Sequence, residues 1–526
     1  MQVSQRIAWN AVTNWAAMLV SAAVGLVLVP FLLGCLGKEG YGLAAIAGVV
    51  VSFTAAADLG LRGALSRHLA EQVALKNTRR FNELASTALV LYLTIGTALA
   101  TACVLAAEPL ARAFRVSPAL LPEAVFLVRW YSSVSILLSF LSPLFGAVVI
   151  SNNRFDLRNY ILTGTGLMRG AFLFAVLGLT DTGLYGWAVV GIAATALEVA
   201  LMVIAARRLW PAMELRVRHL RWSAAKALAS LGVSLFTLQW TGLLAVQSDP
   251  IVLTAFLGPA AVALYQPALT AVGSVRPLVS TLADQLHPLA TGLHVTGRRK
   301  ELQQVLLRGT RYTLLMGVGV CTLLAVLAKP MMRLWLGGRL GEDYAVTAQV
   351  LVAWVVVDLF TYAAGSQWPV LLGMNRLRFL LWTQLPLAVL NLLVSIVLVG
   401  YTRLGVVGVV IPTAVIGILR RPIVAVYVAW VCGLTARRYF LESYLRPIAV
   451  LTMLTAAAFG LRWAIGPASW LSLGACATAL GVSWAGLAWG VGLTRTDRQA
   501  FCQLLREWRR RGKGPAAEGR KEDASA

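Results

Sequence analysis

Between Ile7 and Leu493 the chain is a near-continuous succession of apolar stretches, each about twenty residues long, parted by short polar loops. Inside hydrocarbon a backbone must satisfy its own hydrogen bonds, so stretches of this length have one regular solution, the membrane-crossing α-helix. They lie near 7–33, 40–61, 84–107, 123–150, 161–180, 183–205, 227–257, 259–290, 306–328, 345–372, 379–400, 403–430, 447–465 and 470–493. The expected fold is an all-α integral membrane protein with about 14 transmembrane helices.

Composition supports lipid as the solvent. Only 13% of residues are charged, against about 25% in an ordinary soluble chain, and no linker divides the sequence into soluble cores. The run from Ile7 to Leu33 exceeds the ~7–15-residue core of a signal peptide and reads as the first span. The formal charge of +24 sits in short loops rather than on a folded basic domain, which argues against nucleic acid as a partner. Six scattered cysteines, with no CxxC and no neighbouring His, indicate neither a disulfide framework nor a metal site.

The loops carry the orientation. One alternate set is rich in base: Arg62 to Arg80, Arg154 and Arg158, Arg207 to Lys226, Arg298 to Lys300, Arg376 and Arg378, Arg437 to Arg446, and the tail from Arg495. The other set is sparse, so the positive-inside rule places both termini in the cytoplasm. The segment 62–83 mixes charge with Leu69, Val73, Leu75 and Phe81 and reads either as an amphipathic interfacial helix or as a solvated loop. After Arg511 the tail has no large apolar residues and is expected to be disordered.

An internal echo runs through the chain. Phe31, Leu36-Gly37 and Tyr41, followed by Arg79-Arg80, reappear as Phe256, Leu257-Gly258 and Tyr265, followed by Arg298-Arg299. Two pseudo-symmetric six-helix lobes are therefore expected at 1–224 and 225–432, with two additional helices at 433–493 and a basic, partly disordered tail at 494–526.

Eight ionisable residues fall inside the spans: Arg129, Arg169, Glu198, Asp249, Arg276, Asp358, Arg420 and Arg421. Each costs about 2.5–3.5 kcal/mol near a helix centre, so they are expected to face one another or a hydrated cavity. Five are Arg, whose fork of donors matches phosphate and carboxylate, and a chamber lined by them would take an anionic cargo. Arg169 and Arg276 lead that set. Asp249, Asp358 and Glu198 are candidates for ion coupling or for structural pairing with Arg, and Arg129 can instead snorkel from a helix end. Asp58 and Arg62, with Asp284 and His287, close two spans as gate or interface anchors. Helix-interior prolines such as Pro267 and Pro277 suit spans that bend around a cavity.

The block Leu28-Val29-Pro30-Phe31, Leu36-Gly37, Tyr41-Gly42-Leu43, Asp58-Leu59-Gly60-Leu61 and Arg67 resembles the signature of polysaccharide transporters. These belong to the multidrug/oligosaccharidyl-lipid/polysaccharide exporter superfamily, which includes the bacterial O-antigen flippases. The block Asp249-Pro250-Ile251-Val252-Leu253, Phe256-Leu257-Gly258 and Leu264-Tyr265 resembles its second-half counterpart, with Pro250 where the family pattern has a basic residue. The resemblance implies alternating access in the bacterial inner membrane, no catalytic residue, and a polyprenyl-diphosphate-linked oligosaccharide as cargo for lipopolysaccharide or exopolysaccharide synthesis. Membrane lipids, and a glycan polymerase or glycosyltransferase, are the implied neighbours.

Rival functions can be weighed on residues. A multidrug extruder would carry a carboxylate in the first span, which offers Asn10, Thr13 and Asn14 instead. A membrane glycosyltransferase or polymerase would need acidic residues on a long outer loop, yet Glu39 is the only carboxylate between Gly34 and Gly40. No GxxxxGK[ST] loop is present for a primary pump, so no nucleotide cofactor is expected and energy would come from an H+ or Na+ gradient or from downstream consumption. A peptidoglycan-precursor flippase shares the layout and stays open as an alternative.

Overall fold

The structure, a computed structural model, describes residues 3–55, 58 and 60–511. Every regular element among them is helical. In chain order the first are α1 (Val3–Ala55), α2 (Leu61–Ala74), α3 (Thr78–Ala113), α4 (Leu121–Phe126), α5 (Ser133–Ser151), α6 (Phe155–Leu179) and α7 (Gly183–Leu209). There follow α8 (Trp222–Leu257), α9 (Pro259–Asp284), α10 (Leu286–Val295), α11 (Arg299–Leu340), α12 (Tyr344–Ala363) and α13 (Gln367–Gly373). The last are α14 (Leu377–Tyr401), α15 (Val410–Val431), α16 (Ala436–Ser443), α17 (Leu445–Ile465), α18 (Trp470–Leu487) and α19 (Arg495–Arg511).

Ten stretches among the described residues are long and apolar enough to cross a membrane. The chain is a multi-pass membrane protein. Two of the ten, Ala17–Thr54 and Arg299–Ala363, are interrupted by Gly37 and Gly341, both at positive φ. Each of the fourteen expected segments falls on a helix or on consecutive helices; the ten establish the class of fold and not the number fourteen. The tail after Arg511 and Leu59 of the first signature block lie outside the described residues, as do the side chains of Asn10, Thr13 and Asn14.

The echoed Leu-Gly pairs share a backbone geometry. Gly37 breaks α1 at φ 69°, ψ 178°, and Gly258 parts α8 from α9 at φ 83°, ψ 171°. This region is open essentially to glycine alone, so both positions turn a helix end into the start of the next helix without a loop. Gly42 of the first block is needed for a different reason, because a Cβ there would sit 1.9 Å from the carbonyl oxygen of Pro259, the first residue of α9. The missing side chain lets two backbones cross, as small residues do wherever lipid offers no hydrophobic drive and packing must supply the attraction.

The residues form two compact units. Unit 1 holds Met1–Leu278, Met331–Val357 and Arg376–Arg420; unit 2 holds Val279–Pro330, Asp358–Asn375 and Arg421–Ala526. This grouping cuts across the expected lobes 1–224 and 225–432 instead of running between them. Within unit 1, Lys38 pairs with Asp343 at 2.6 Å, Arg115 donates to the Phe256 carbonyl at 2.8 Å, and the Ser117 amide donates to Glu39 at 2.7 Å. One end of the unit, where α1 turns at Gly37 and α8 ends at Gly258, is thus laced shut by polar contacts.

Of the two readings for 62–83, the helix is the one observed over Leu61–Ala74. Its inward face is Leu61, Ala64, Leu65, Leu69 and Gln72; its apolar members join Phe81, Tyr92, Ile136 and Phe140 in a common core. Leu75 lies beyond the helix and is exposed. The connection after α7 is strapped to the start of α3. Asn82 donates to the Ala212 carbonyl and accepts from the Glu214 amide, both at 3.1 Å, and Ser86 and Thr87 accept from the amides of Arg216 and Arg221. Glu214 is held below the usual carboxylate range by the hydrogen bond from Arg218, with Arg216 and His219 beside it.

Candidate functional site

Helix α6 carries the feature around which unit 1 is hollow. Arg158 and Arg169 are eleven residues apart, three turns of helix, which puts them on one face and about 16 Å apart along the axis. Thr163 and Gly166 lie between them in sequence and line the cavity that opens there. This cavity, of about 460 Å³, lies against Arg169, with Ser21, Gly25, Ser52, Trp187, Gln247, Gln266 and Thr270 also in its wall. A second chamber of about 490 Å³ adjoins it, sharing Ser21, Gly25, Thr163 and Thr270, and Arg158 and Asn159 line that one.

The Arg169 guanidinium lies 5.8 Å from the centre of the Trp187 ring, and Tyr131 packs on Trp187 at 4.7 Å. Gly191 makes room for both, since a Cβ there would meet Tyr131 at 2.9 Å and Arg169 at 3.7 Å. A guanidinium over an indole face gains about 0.5–2 kcal/mol without losing its donors. Among the described residues Arg169 makes no ion pair, and it lines the cavity. Small hydroxyl and amide side chains around it offer the donors and acceptors that a hydroxylated ligand needs.

The remaining expected site residues do not gather around this cavity. Arg276 stacks on Trp354 at 5.1 Å from the ring centre; its neighbours Ser274 and Pro277 line the second chamber. Trp354 meets Tyr265 edge-on, and the Tyr265 hydroxyl donates to Asp249 Oδ2 at 2.8 Å. Asp249 is fully buried, and its Oδ1 has no hydrogen-bond partner among the described residues. Glu198 accepts from Ser142 at 2.9 Å and lies within electrostatic reach of Arg158.

Arg129, in the π-helical segment Leu127–Ser132, reaches Glu108 at 3.5 Å and is more than a third exposed, the snorkelling arrangement. Arg420 donates to Gln384 at 3.4 Å. The two gate pairs are local: Asp58 accepts from the Gly60 amide at 2.9 Å and lies 4.0 Å from Arg62, while Asp284 ends α9 and the His287 carbonyl accepts from Thr291. In unit 1, then, one Arg of the expected five, Arg169, lines the first cavity, and Arg158, which the sequence had assigned to a loop, lines the adjoining chamber.

Unit 2 has a cavity of its own, of about 300 Å³, walled by apolar side chains including Phe360, Tyr444, Pro447 and Leu451. Arg421 borders it and donates to Thr361 at 3.0 Å. In the same unit Tyr362 contacts Asp358 at 3.4 Å.

Comparison with known proteins adds the lineage. A family profile described as "Polysaccharide biosynthesis protein" matches residues 32–342, more than half of the chain. The chain belongs to that family. The match takes in most of the first signature block, all of the second, and α6 with Arg158 and Arg169. The sequence is similar to the uncharacterized membrane protein EpsK of Bacillus subtilis (strain 168), 22% identical over 502 residues, covering 95% of this chain and 98% of EpsK.

Among solved structures it is similar to an inward-facing multidrug resistance MATE family transporter of the MOP superfamily, with TM-score 0.64 and 13% identity over 79% of this chain and 96% of that one. It is also similar to the lipid II flippase MurJ in an inward closed conformation, with TM-score 0.63 and 13% identity over 91% of this chain and 98% of that one. The chain shares its fold with these two solved structures.

Proposed function

We propose that this member of the polysaccharide biosynthesis family is a flippase that carries a polyprenyl-diphosphate-linked oligosaccharide across the bacterial inner membrane by alternating access, with both termini in the cytoplasm. The observation that carries the reading is Arg169, a guanidinium over the Trp187 ring at the edge of a cavity, with its donors unclaimed by any carboxylate among the described residues. A diphosphate is the ligand class such a fork selects.

The Ser, Thr and Gln side chains around it suit sugar hydroxyls. Family membership supports a glycan as cargo. No bond of the cargo changes in this reading, and an H+ or Na+ gradient drives return of the empty carrier. Asp249, buried with one oxygen unpartnered among the described residues, is the first candidate to take the coupling proton, because a buried ionised carboxylate that is not fully hydrogen-bonded is costly. A glycan polymerase or glycosyltransferase is the expected neighbour that supplies or consumes the cargo.

The deciding experiment uses proteoliposomes holding the purified protein and a fluorescent polyprenyl-diphosphate oligosaccharide. Protection from a membrane-impermeant reagent, beyond that in protein-free vesicles and with the sugar unchanged, is the expected result. Chemical alteration of the sugar would replace the flippase by a membrane glycosyltransferase or polymerase, and movement of a peptidoglycan lipid precursor alone would reassign the cargo.

A further inference from the structure

Helix α19 starts at Arg495, three residues after the last apolar stretch ends at Gly492. Its sequence, RTDRQAFCQLLREWRRR, sets six Arg against Asp497 and Glu507. At 100° per residue, Ala500, Phe501, Leu504, Leu505 and Trp508 fall on one side of the helix wheel, while Arg495, Arg506 and Arg510 fall opposite and Arg498 and Arg509 flank the apolar side.

The first turn is clamped to unit 2. Asp497 lies 2.6 Å from Arg311 Nη1, accepts from the Tyr312 hydroxyl at 2.8 Å, and has Arg308 at 3.6 Å. Thr494 closes the turn: its hydroxyl donates to Asp497 at 2.6 Å and accepts from the Asp497 amide at 3.2 Å. Beyond this clamp Phe501, which touches Trp489, is 50% exposed.

We propose that α19 lies in the headgroup layer of the leaflet facing the basic loops and docks on a bilayer surface bearing anionic phospholipids. Three features converge on that partner. The helix leaves directly from a span, so its apolar stripe is at the depth where acyl chains begin. Its charge is complementary to phosphate-bearing lipids, and guanidinium forks hold phosphate through paired donors. The clamp at Asp497 leaves Phe501, at the start of the stripe, half exposed. Because Arg308, Arg311 and Tyr312 all belong to α11, the lipid composition of that leaflet acts on α11 through a single carboxylate.

The test uses the full-length protein with C35S, which leaves Cys502 on α19 as the accessible thiol, the other four cysteines being buried. Cys502 is labelled with an environment-sensitive maleimide in nanodiscs of phosphatidylcholine, alone or mixed with phosphatidylglycerol, with a headgroup-nitroxide lipid as quencher. Severalfold stronger quenching with phosphatidylglycerol is expected, returning to the neutral-lipid level in the R506Q/R509Q/R510Q variant. Equal quenching in both bilayers, or phosphatidylglycerol dependence that survives the triple substitution, overturns the proposal. A label shielded from the quencher in both bilayers also overturns it and points to a second copy or another protein on this face.

Discussion

The indole Nε1 of Trp335 donates to the carbonyl of Leu26 at 2.9 Å, the carbonyl that Pro30, four residues on in α1, has no N–H to claim. A proline inside a helix orphans one acceptor, and here a side chain from α11 fills the gap within unit 1. Proline and tryptophan therefore act as one joint, fixing which part of α11 this turn of α1 leans on.

Trp335→Phe keeps an aromatic ring and removes the donor. Loss of about 1 kcal/mol is expected, the lower end for a part-buried acceptor left unmet. A thermal melt in detergent checks it, with Trp382→Phe, at an exposed ring, expected to melt like the parent.

Arg169→Ala should lower export at least tenfold at unchanged membrane level, and Arg169→Lys should keep part of it because charge survives without the fork. Arg129→Ala, at a half-exposed pair with Glu108, should stay within about twofold, as surface pairs contribute little. Export assays in cells expressing each variant rank the three; equal loss in Lys and Ala variants of Arg169 would argue against electrostatic capture.

At Gly42 even Ala should block folding, since its Cβ has nowhere to go against the Pro259 carbonyl. Gly48→Ala, with nothing within 4 Å of its Cβ, is the matched control. Monodispersity on fluorescence-detected size exclusion separates them: aggregation is expected for the first and a parental profile for the second.

Asn82→Ala removes one side chain that serves two backbone groups of the connection after α7. Each group left unsatisfied costs about 1–3 kcal/mol when buried, so the segment 210–221 should open first. Faster limited proteolysis within that segment, with the helices still intact, is the expected pattern.

Burial pushes the Asp497 carboxyl up, but hydrogen bonds from Thr494 and Tyr312 and the charge of Arg311 outweigh it and hold the group below the usual range. A carboxyl depressed on folding contributes stability above its unfolded value, near 3.9, and loses it as pH falls through the folded value. Melting temperatures of the parent and Asp497→Asn should therefore differ at neutral pH and converge below about pH 4.

Periodicity and length made the helices legible, and the repeated Leu-Gly pairs announced two breaks whose dihedral angles agree. What the chain did not announce was which way each intramembrane charge points. Arg129 and Arg169 look alike as residues in apolar runs, yet one pairs with Glu108 and the other meets Trp187, and only packing distinguishes them. Arg158 was hidden by its place beside a loop; its eleven-residue spacing from Arg169 was the available signal. Gln247 and Gln266 reach the cavity from helices remote in sequence, which no local pattern encodes. In α19 the Arg run read as an orientation signal and obscured the stripe of Phe501, Leu504, Leu505 and Trp508.

The two arginines of α6 also set a scale. A point on that helix between the two residues is never more than about 8 Å in axial rise from one of them, half of three helical turns. At an effective dielectric constant of about 20 that distance still corresponds to about 2 kcal/mol of attraction per elementary charge. The interval covers about half of the ~30 Å hydrocarbon layer, so a diphosphate on this route would be handed from one rung to the next before it had let go of the first.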